Sequence, residues 1–290
     1  MTLAVTTSYA TENAKAARTP VYVATFNSRY ATEVLIDKPV GYWRMGDVSG
    51  ATAVDSSGNV LNGTYIGSPQ LNVPSPLIGD TSTAAQYNGT NQYATVADND
   101  LLDPGDTLSI DGWIYTGTIG ASVRSIIDKG VGGYFLVEFA GLIIMGKNGG
   151  NNIANSGGGA NLVANTWYHV AATKAGGTTR IYVNGVDVTA AGTPDTIVAT
   201  ASPLLLGAIT GPGDFWTGRL KDIALYSAAL SAARIKAHYD CRGRQFSTAP
   251  VCDSKSEILA DAPVGWYRVS ETGGATAADS SGNSKNGAYA

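Results

Sequence analysis

One stretch of this chain occurs twice, and that repeat limits the possible architectures more than any other feature. Residues 34–65, VLIDKPVGYWRMGDVSGATAVDSSGNVLNGTY, align without a gap on residues 258–289, ILADAPVGWYRVSETGGATAADSSGNSKNGAY, with 18 of 32 positions identical. The copies start 224 residues apart. Solenoid repeats have periods of about 20–50 residues, so a period this long marks a whole domain. One domain is therefore expected over residues 30–240. A second of the same kind opens at 257–290 and stops after its first strand and turn. About 30 residues cannot bury a sandwich core of their own. The second copy thus reads as the start of a domain in a longer natural chain. The other reading is that it docks on another subunit.

The flanking segments differ in character. Residues 1–29 read as an N-terminal docking arm, with ENAKAAR suited to a helical turn and PVYVATF to a strand. Residues 241–256 read as a linker and hold both cysteines, Cys241 and Cys252. These form either one local disulfide or two thiols. No CxxC pair is present, which argues against a structural zinc site.

Within 30–240 the apolar pattern is that of strands. Thr107–Tyr115 alternates apolar and polar residues, as a half-buried strand does. Ser125–Ile127, Tyr134–Phe139 and Leu142–Met145 follow, with Gly130–Gly133 turning between the first two. Thr166–Thr173 places Trp167, His169 and Ala171 on one face and Tyr168, Val170 and Ala172 on the other. Asn184-Gly185 between Ile181–Val183 and Val186–Val188 is a type I′ hairpin signal, because both residues tolerate positive φ. Leu204–Leu206 and Leu220–Tyr226 close the series, and Ser231–Tyr239 reads as a short helix capped by Ser231 or Ser227. The fold class is all-β, a two-sheet antiparallel sandwich.

Composition excludes several functions. Charged residues are 14 %, net charge is −4 and the pI is about 5.1. A nucleic-acid partner recognised through a basic field is not expected. No run approaches the roughly 20 apolar residues of a membrane span, so no membrane partner is expected. The first 20 residues lack a basic start, a long apolar run and a small-residue cleavage site, which predicts no secretory signal peptide.

Eight fragments in order give the chain a resemblance. They are GYWRMGD…AVDSSGNVLNGTY, AAQYNGTNQYATVADNDLL, LSIDGWIYT, IIDKG, NTWYHVAATK, RIYVNGVDV, LLLGA and WTGRLKDIALYSAALSAARIKAHY. Together they resemble the laminin-G-like, concanavalin A-like jelly-roll domain over about residues 34–239. The resemblance implies two packed antiparallel sheets of jelly-roll topology, followed here by a short C-terminal helix. It implies no single function, since folds of this kind host adhesion modules, carbohydrate-binding modules, glycosidase accessory domains and viral surface proteins. Tandem copies behind a short arm, without a signal peptide, resemble bacteriophage tail or other virion surface components.

Catalysis is not expected. Retaining glycosidases place two carboxylates about 5–5.5 Å apart, which on one strand requires acids at alternate positions. The five glutamates, Glu12, Glu33, Glu138, Glu257 and Glu271, form no such cluster. Asp98, Asp100, Asp103 and Asp106 read as loop and turn formers. His169 and His238 read as packed or solvated residues. No nucleophile elbow, P-loop or dinucleotide fingerprint is present.

Two binding expectations remain. Calcium takes six to eight oxygens, and Asp55-Ser56-Ser57-Gly58-Asn59 is an oxygen-rich turn that recurs at Asp279–Asn283. The resemblance implies that the opening and closing strands lie together, so Asp55, Asn59 and Asp222 are the candidate structural Ca2+ ligands. The alternative is an Asx-turn bonding its own backbone. Sugar binding needs exposed aromatics beside polar groups. Trp216, Tyr42 and Trp43 read mainly as core, and Tyr65, Tyr87, Tyr93 and Tyr134 give no basis for choosing a platform.

The expected function is a non-enzymatic structural or adhesion component of a virus particle, assembled in the host cytoplasm. Its sandwich domains would serve subunit contact, display or attachment to host-surface glycans. Its partners would be other virion subunits bound through the N-terminal arm, giving a homo-oligomer. The alternatives are a secreted, extracellular bacterial adhesin that binds carbohydrate, or an accessory module of a glycoside hydrolase.

Overall fold

Alternating strands need a second sheet to cover their apolar faces, and the chain supplies one. A computed structural model describes residues 29–243 apart from 79 and 158–160, together with 276–277 and 287–288. The arm up to residue 28, most of the linker, Cys252 and most of the second copy lie outside the described residues.

In chain order the elements begin with α1 (Arg29–Ile36), β1 (Gly41–Trp43), β2 (Thr52–Ala53), β3 (Gly63–Ile66), β4 (Gln70–Val73), β5 (Ala84–Asn88) and β6 (Tyr93–Val96). The central strands are β7 (Thr107–Thr116), β8 (Arg124–Asp128), β9 (Tyr134–Phe139), β10 (Leu142–Lys147), β11 (Asn152–Asn155) and β12 (Thr166–Ala175). They are followed by β13 (Thr178–Val183), β14 (Val186–Asp187), β15 (Ala190–Ala191), β16 (Leu204–Leu206), β17 (Thr217–Tyr226) and α2 (Ala232–Asp240).

The first sheet runs β14-β13-β12-β7-β17-β5-β4, with β1 also pairing β17. The second runs β15-β11-β10-β9-β8-β16-β6-β3-β2. All pairings are antiparallel, and the inner faces form one core that includes Trp43, Ile110, Ile114, Tyr134, Leu206 and Trp216. The expected two-sheet antiparallel sandwich with a short C-terminal helix is what the chain forms. Asn184 and Gly185 have φ of 52° and 75°, as the type I′ turn requires. Ser231 caps α2, its side chain accepting from the Arg234 N–H at 3.3 Å.

The domain's opening holds one element beyond the expected strands. Residues 29–36 form a helix, α1, where the sequence reading placed no element. Tyr30, Ala31 and Val34 lie on one helical face and are buried against the outside of the first sheet. The helix has no acidic residue in its first turn and is only eight residues long. Its stability therefore comes from packing rather than propensity, and that is invisible to local pattern.

The repeated segment keeps its pairing. In the first copy Thr52 pairs Thr64 and Ala53 pairs Gly63. In the second, Thr276 pairs Ala288 and Ala277 pairs Gly287. Every one of these positions is displaced by the same 224 residues.

Candidate functional site

Tyr42 links the residues expected to bind calcium. Its backbone N–H donates to Asp55 Oδ1 at 2.9 Å, and its hydroxyl donates to Asp222 Oδ1 at 2.6 Å. Asp55 also accepts from Ser57 N–H, Ser57 Oγ–H and Leu61 N–H, at 2.8, 2.8 and 2.9 Å. Asn59 turns its amide nitrogen to the Val40 carbonyl at 2.9 Å. Asp222 is fully buried and lies 2.9 Å from Lys221 Nζ and 3.1 Å from Arg44 Nε. The same two cations reach Asp80, at 3.3 and 2.8 Å.

These residues do not fit a calcium ion. Calcium needs free oxygens, whereas here the carboxylates face N–H, O–H and cationic donors, and two positive charges already stand beside Asp222. Among the described residues no group of three or more His, Cys, Asp or Glu is arranged to hold a metal. Asp55 is the Asx-turn of the alternative reading. Asp222 stands at a β-bulge in β17 with φ of 53°. Burial pushes the Asp80 carboxyl up, but Lys221 and Arg44 outweigh it and hold the group below its ordinary value.

Several other acids and both histidines of the described residues are also drawn into buried contacts. Glu138 is buried against Arg124, with Oε2 2.7 Å from Nε, and accepts from the Gly141 N–H. Asp98 and Asp106 do more than form turns, since they pair with the buried Lys129 and Lys174. His238 lies between Asp111 at 2.5 Å and Asp37 at 2.9 Å. Burial works against the imidazolium, but the two carboxylates push the His238 pKa up to about 9. Burial likewise works against the Asp111 carboxylate, which His238 and His169 nonetheless bring down to about 2. His169 is pushed down by burial, although Asp111 lies 3.7 Å away. Tyr30, Trp113 and Tyr239 ring this group from α1, β7 and α2.

The helices cover only part of the outer face of the first sheet. Two residues further along the strands, the cover ends. There Trp167 pairs Tyr115, Tyr115 pairs Arg219, Arg219 pairs Gln86 and Gln86 pairs Gln70, across β12, β7, β17, β5 and β4. Directly paired residues share a face, and none of the five is buried. The Tyr115 and Trp167 ring centroids are 5.5 Å apart and tilted by 59°. The Arg219 guanidinium carbon lies 4.9 Å over the Tyr115 ring. Its Nε–H donates to Gln86 Oε1 at 3.1 Å. Tyr115 O–H points towards Asn165 Oδ1 at 3.4 Å.

This row was missed by sequence reasoning, although strand alternation contained it. Leu108, Ile110 and Ile114 face the core, so Tyr115 faces outward, and Trp167 lies on the face already assigned to His169. The aromatics considered instead are mostly core. Tyr42, Trp43, Tyr134 and Trp216 are fully buried, and Tyr65 and Tyr87 nearly so. Only Tyr93 is half-exposed, with Phe215 6.1 Å away.

The model of the family described as the concanavalin A-like lectin/glucanases superfamily, within the laminin G group, matches residues 88–236, which is half of the chain. The chain belongs to that superfamily. No curated protein matches it in sequence. Among solved structures, it is similar to the binding domain of Paraclostridial Mosquitocidal Protein 1. That match has TM-score 0.52 and 15 % identity and covers 71 % of this chain and 52 % of the other. It is also similar to the botulinum neurotoxin serotype D ligand-binding domain solved with N-acetylneuraminic acid (TM-score 0.53, 15 % identity, 73 % and 52 %). A third is a Trypanosoma rangeli sialidase mutant displaying trans-sialidase activity (TM-score 0.53, 15 % identity, 72 % and 34 %). The chain spans about half the length of the first two and a third of the last. At this identity the superfamily member and these structures have a fold in common.

Proposed function

We propose that this domain is a non-enzymatic, glycan-binding attachment module, and that the Trp167–Tyr115–Arg219–Gln86 row is its platform. The observation that carries the reading is the row itself. Side-by-side aromatic rings with an arginine and glutamines in register supply the apolar surface and the few polar groups that a sugar needs. The row stands on four paired strands, so its geometry is fixed before any ligand arrives, which lowers the ordering cost of binding. The sialic acid bound by the neurotoxin domain of this fold supports the substrate class. The commitment of Glu138 to Arg124 and of His238 to Asp111 and Asp37 supports a binding rather than a catalytic role.

The setting we propose is a surface-displayed tandem array, as on a virion, with residues 1–29 making the subunit contacts. The shared register of the two copies supports the tandem arrangement. The intact mass and size of the native material test it. A protomer well above 29.8 kDa inside a large particle is expected, whereas a free 29.8 kDa monomer would overturn it.

Binding of the full chain to an immobilised glycan array tests the platform. Wild type is expected to retain a subset of glycans, and Trp167→Ala and Tyr115→Ala to lose them while keeping the wild-type circular dichroism spectrum. Retention of the same glycans by Trp167→Ala would remove the platform assignment.

A further inference from the structure

Most cations among the described residues are neutralised at home. Lys129, Lys147, Lys174, Lys221, Arg124 and Arg234 each lie within ion-pair distance of a carboxylate. Arg219, within the half-exposed row, is not among them. Among the described residues no carboxylate pairs with it, although it stands in the middle of a sheet rather than on a loose edge. Its position is nevertheless set on two sides. Tyr115 lies under the guanidinium, and Gln86 accepts the Nε–H. Gln86 is neutral, so it orients the group without consuming its charge. Fixing Nε–H in this way leaves the two terminal nitrogens to meet a ligand. Two parallel N–H donors match the two oxygens of a carboxylate, which is the geometry in which arginine binds anions most selectively.

We propose that the row takes an acidic sugar, a uronic or sialic acid residue, whose carboxylate is bound by Arg219 and whose apolar ring face rests on Trp167. The inference builds on the glycan-binding reading above and specifies its ligand class. Tyr115 does not receive the sugar directly, because Arg219 covers one of its faces. It holds the guanidinium, while the half-exposed Trp167, its ring centroid 5.5 Å from that of Tyr115 and its other side packed towards Trp113, supplies the stacking surface. Since the site is half open to water, the charge contact is partly screened and should weaken as salt is raised.

The experiment compares acid and neutral members of two matched pairs against the full chain by isothermal titration. One pair is sialyllactose and lactose. The other is trigalacturonate and its methyl ester. Wild type is expected to bind the acid member of at least one pair about tenfold more tightly than its neutral partner. The preference should shrink between 50 and 500 mM salt, as expected for a screened charge contact. Arg219→Gln is expected to bind both members equally, at the neutral sugar's affinity, with an unchanged Tm. Gln86→Ala, which leaves the charge but not its orientation, should lose part of the preference. Equal binding of acid and neutral sugars by wild type overturns the acidic-ligand inference and leaves glycan binding standing. So does an Arg219→Gln variant that keeps the preference. Failure of wild type to bind any of the four sugars overturns both.

Discussion

His238 Nδ1 lies 2.5 Å from Asp111 Oδ2, beneath two helices and out of contact with water. The pair joins α2 to the outer face of β7, and Asp37, just after α1, closes on the other ring nitrogen at 2.9 Å. One imidazolium therefore clamps both helices to the sheet. Tyr226 adds a hydroxyl to Asp111 at 3.3 Å, and Arg234 holds Asp37 from the outside.

This clamp gives the domain a defined pH window. The His238 pKa is about 9 in the fold against 6.5 for a free imidazole. Its stabilisation is complete below 6.5 and disappears as pH rises through 9. Asp111 titrates near 2 in the fold against 3.8 when free, so its contribution is present above 3.8 and lost as pH falls through 2. The Tm is expected to be flat between about pH 4 and 6.5 and to fall towards pH 9.5. His238→Gln should flatten the alkaline limb. His238→Ala leaves the buried Asp111 carboxylate without its cation, while Asp37 keeps Arg234, at a cost of about 3–5 kcal/mol, or on the order of 10 °C in Tm. An alkaline limb unchanged in His238→Gln would show that another group sets it.

The second buried cluster makes a different demand. Lys221 is fully buried and stands between Asp222 and Asp80. Lys221→Met keeps the volume but strands the two carboxylates beside Arg44 alone. A loss of about 3 kcal/mol is expected in urea denaturation. Asp222 combines this electrostatic role with φ of 53°, a conformation that asparagine tolerates and alanine does not. Asp222→Asn should therefore cost less than Asp222→Ala. Equal losses would mean that the charge, which both variants remove, and not the bulge dominates at this position.

Asp55 offers a test that separates a turn from a metal site. Four donors from Tyr42, Ser57 and Leu61 converge on its carboxylate. Asp55→Ala leaves three backbone N–H groups unsatisfied, and a cost of about 3 kcal/mol or more is expected. EDTA should leave the wild-type Tm unchanged, and millimolar calcium should not raise it. A chelator-induced drop of several degrees would restore a cation to the turn.

What was legible in the sequence follows from how far each signal reaches along the chain. Strands such as β7 and β12 announce themselves through alternation over ten residues, and the Asn184-Gly185 turn through two residues that accept positive φ. The DSSGN turn was visible as an oxygen-rich loop, but its chemistry depended on which donors face it, and those come from Tyr42 and Leu61, 13 and 6 residues away. Apart from Lys221, its neighbour in sequence, the Asp222 carboxylate draws its partners Tyr42 and Arg44 from about 180 positions away, so local pattern could not show how its charge is met. The Trp167–Arg219 row is a property of sheet order. Its members become neighbours only once β12, β7, β17 and β5 lie side by side.

The repeat provides the last prediction. The second copy keeps the residues that build the Asp55 turn, with Asp279, Ser281, Asn283 and Asn286 at the positions of Asp55, Ser57, Asn59 and Asn62. It exchanges the core pair, with Trp266 and Tyr267 where the first copy has Tyr42 and Trp43. A chain in which residues 66–243 follow Tyr289 should therefore fold a second sandwich. That sandwich loses the Tyr42 hydroxyl on Asp222 and must fit a larger ring in its place. Overpacking of this kind costs about 1–3 kcal/mol, so its Tm should lie several degrees below that of the first domain. Calorimetry of the extended chain is expected to show two transitions and roughly twice the unfolding enthalpy. A single transition with the enthalpy of one domain would mean that the second opening cannot nucleate the fold its sequence repeats.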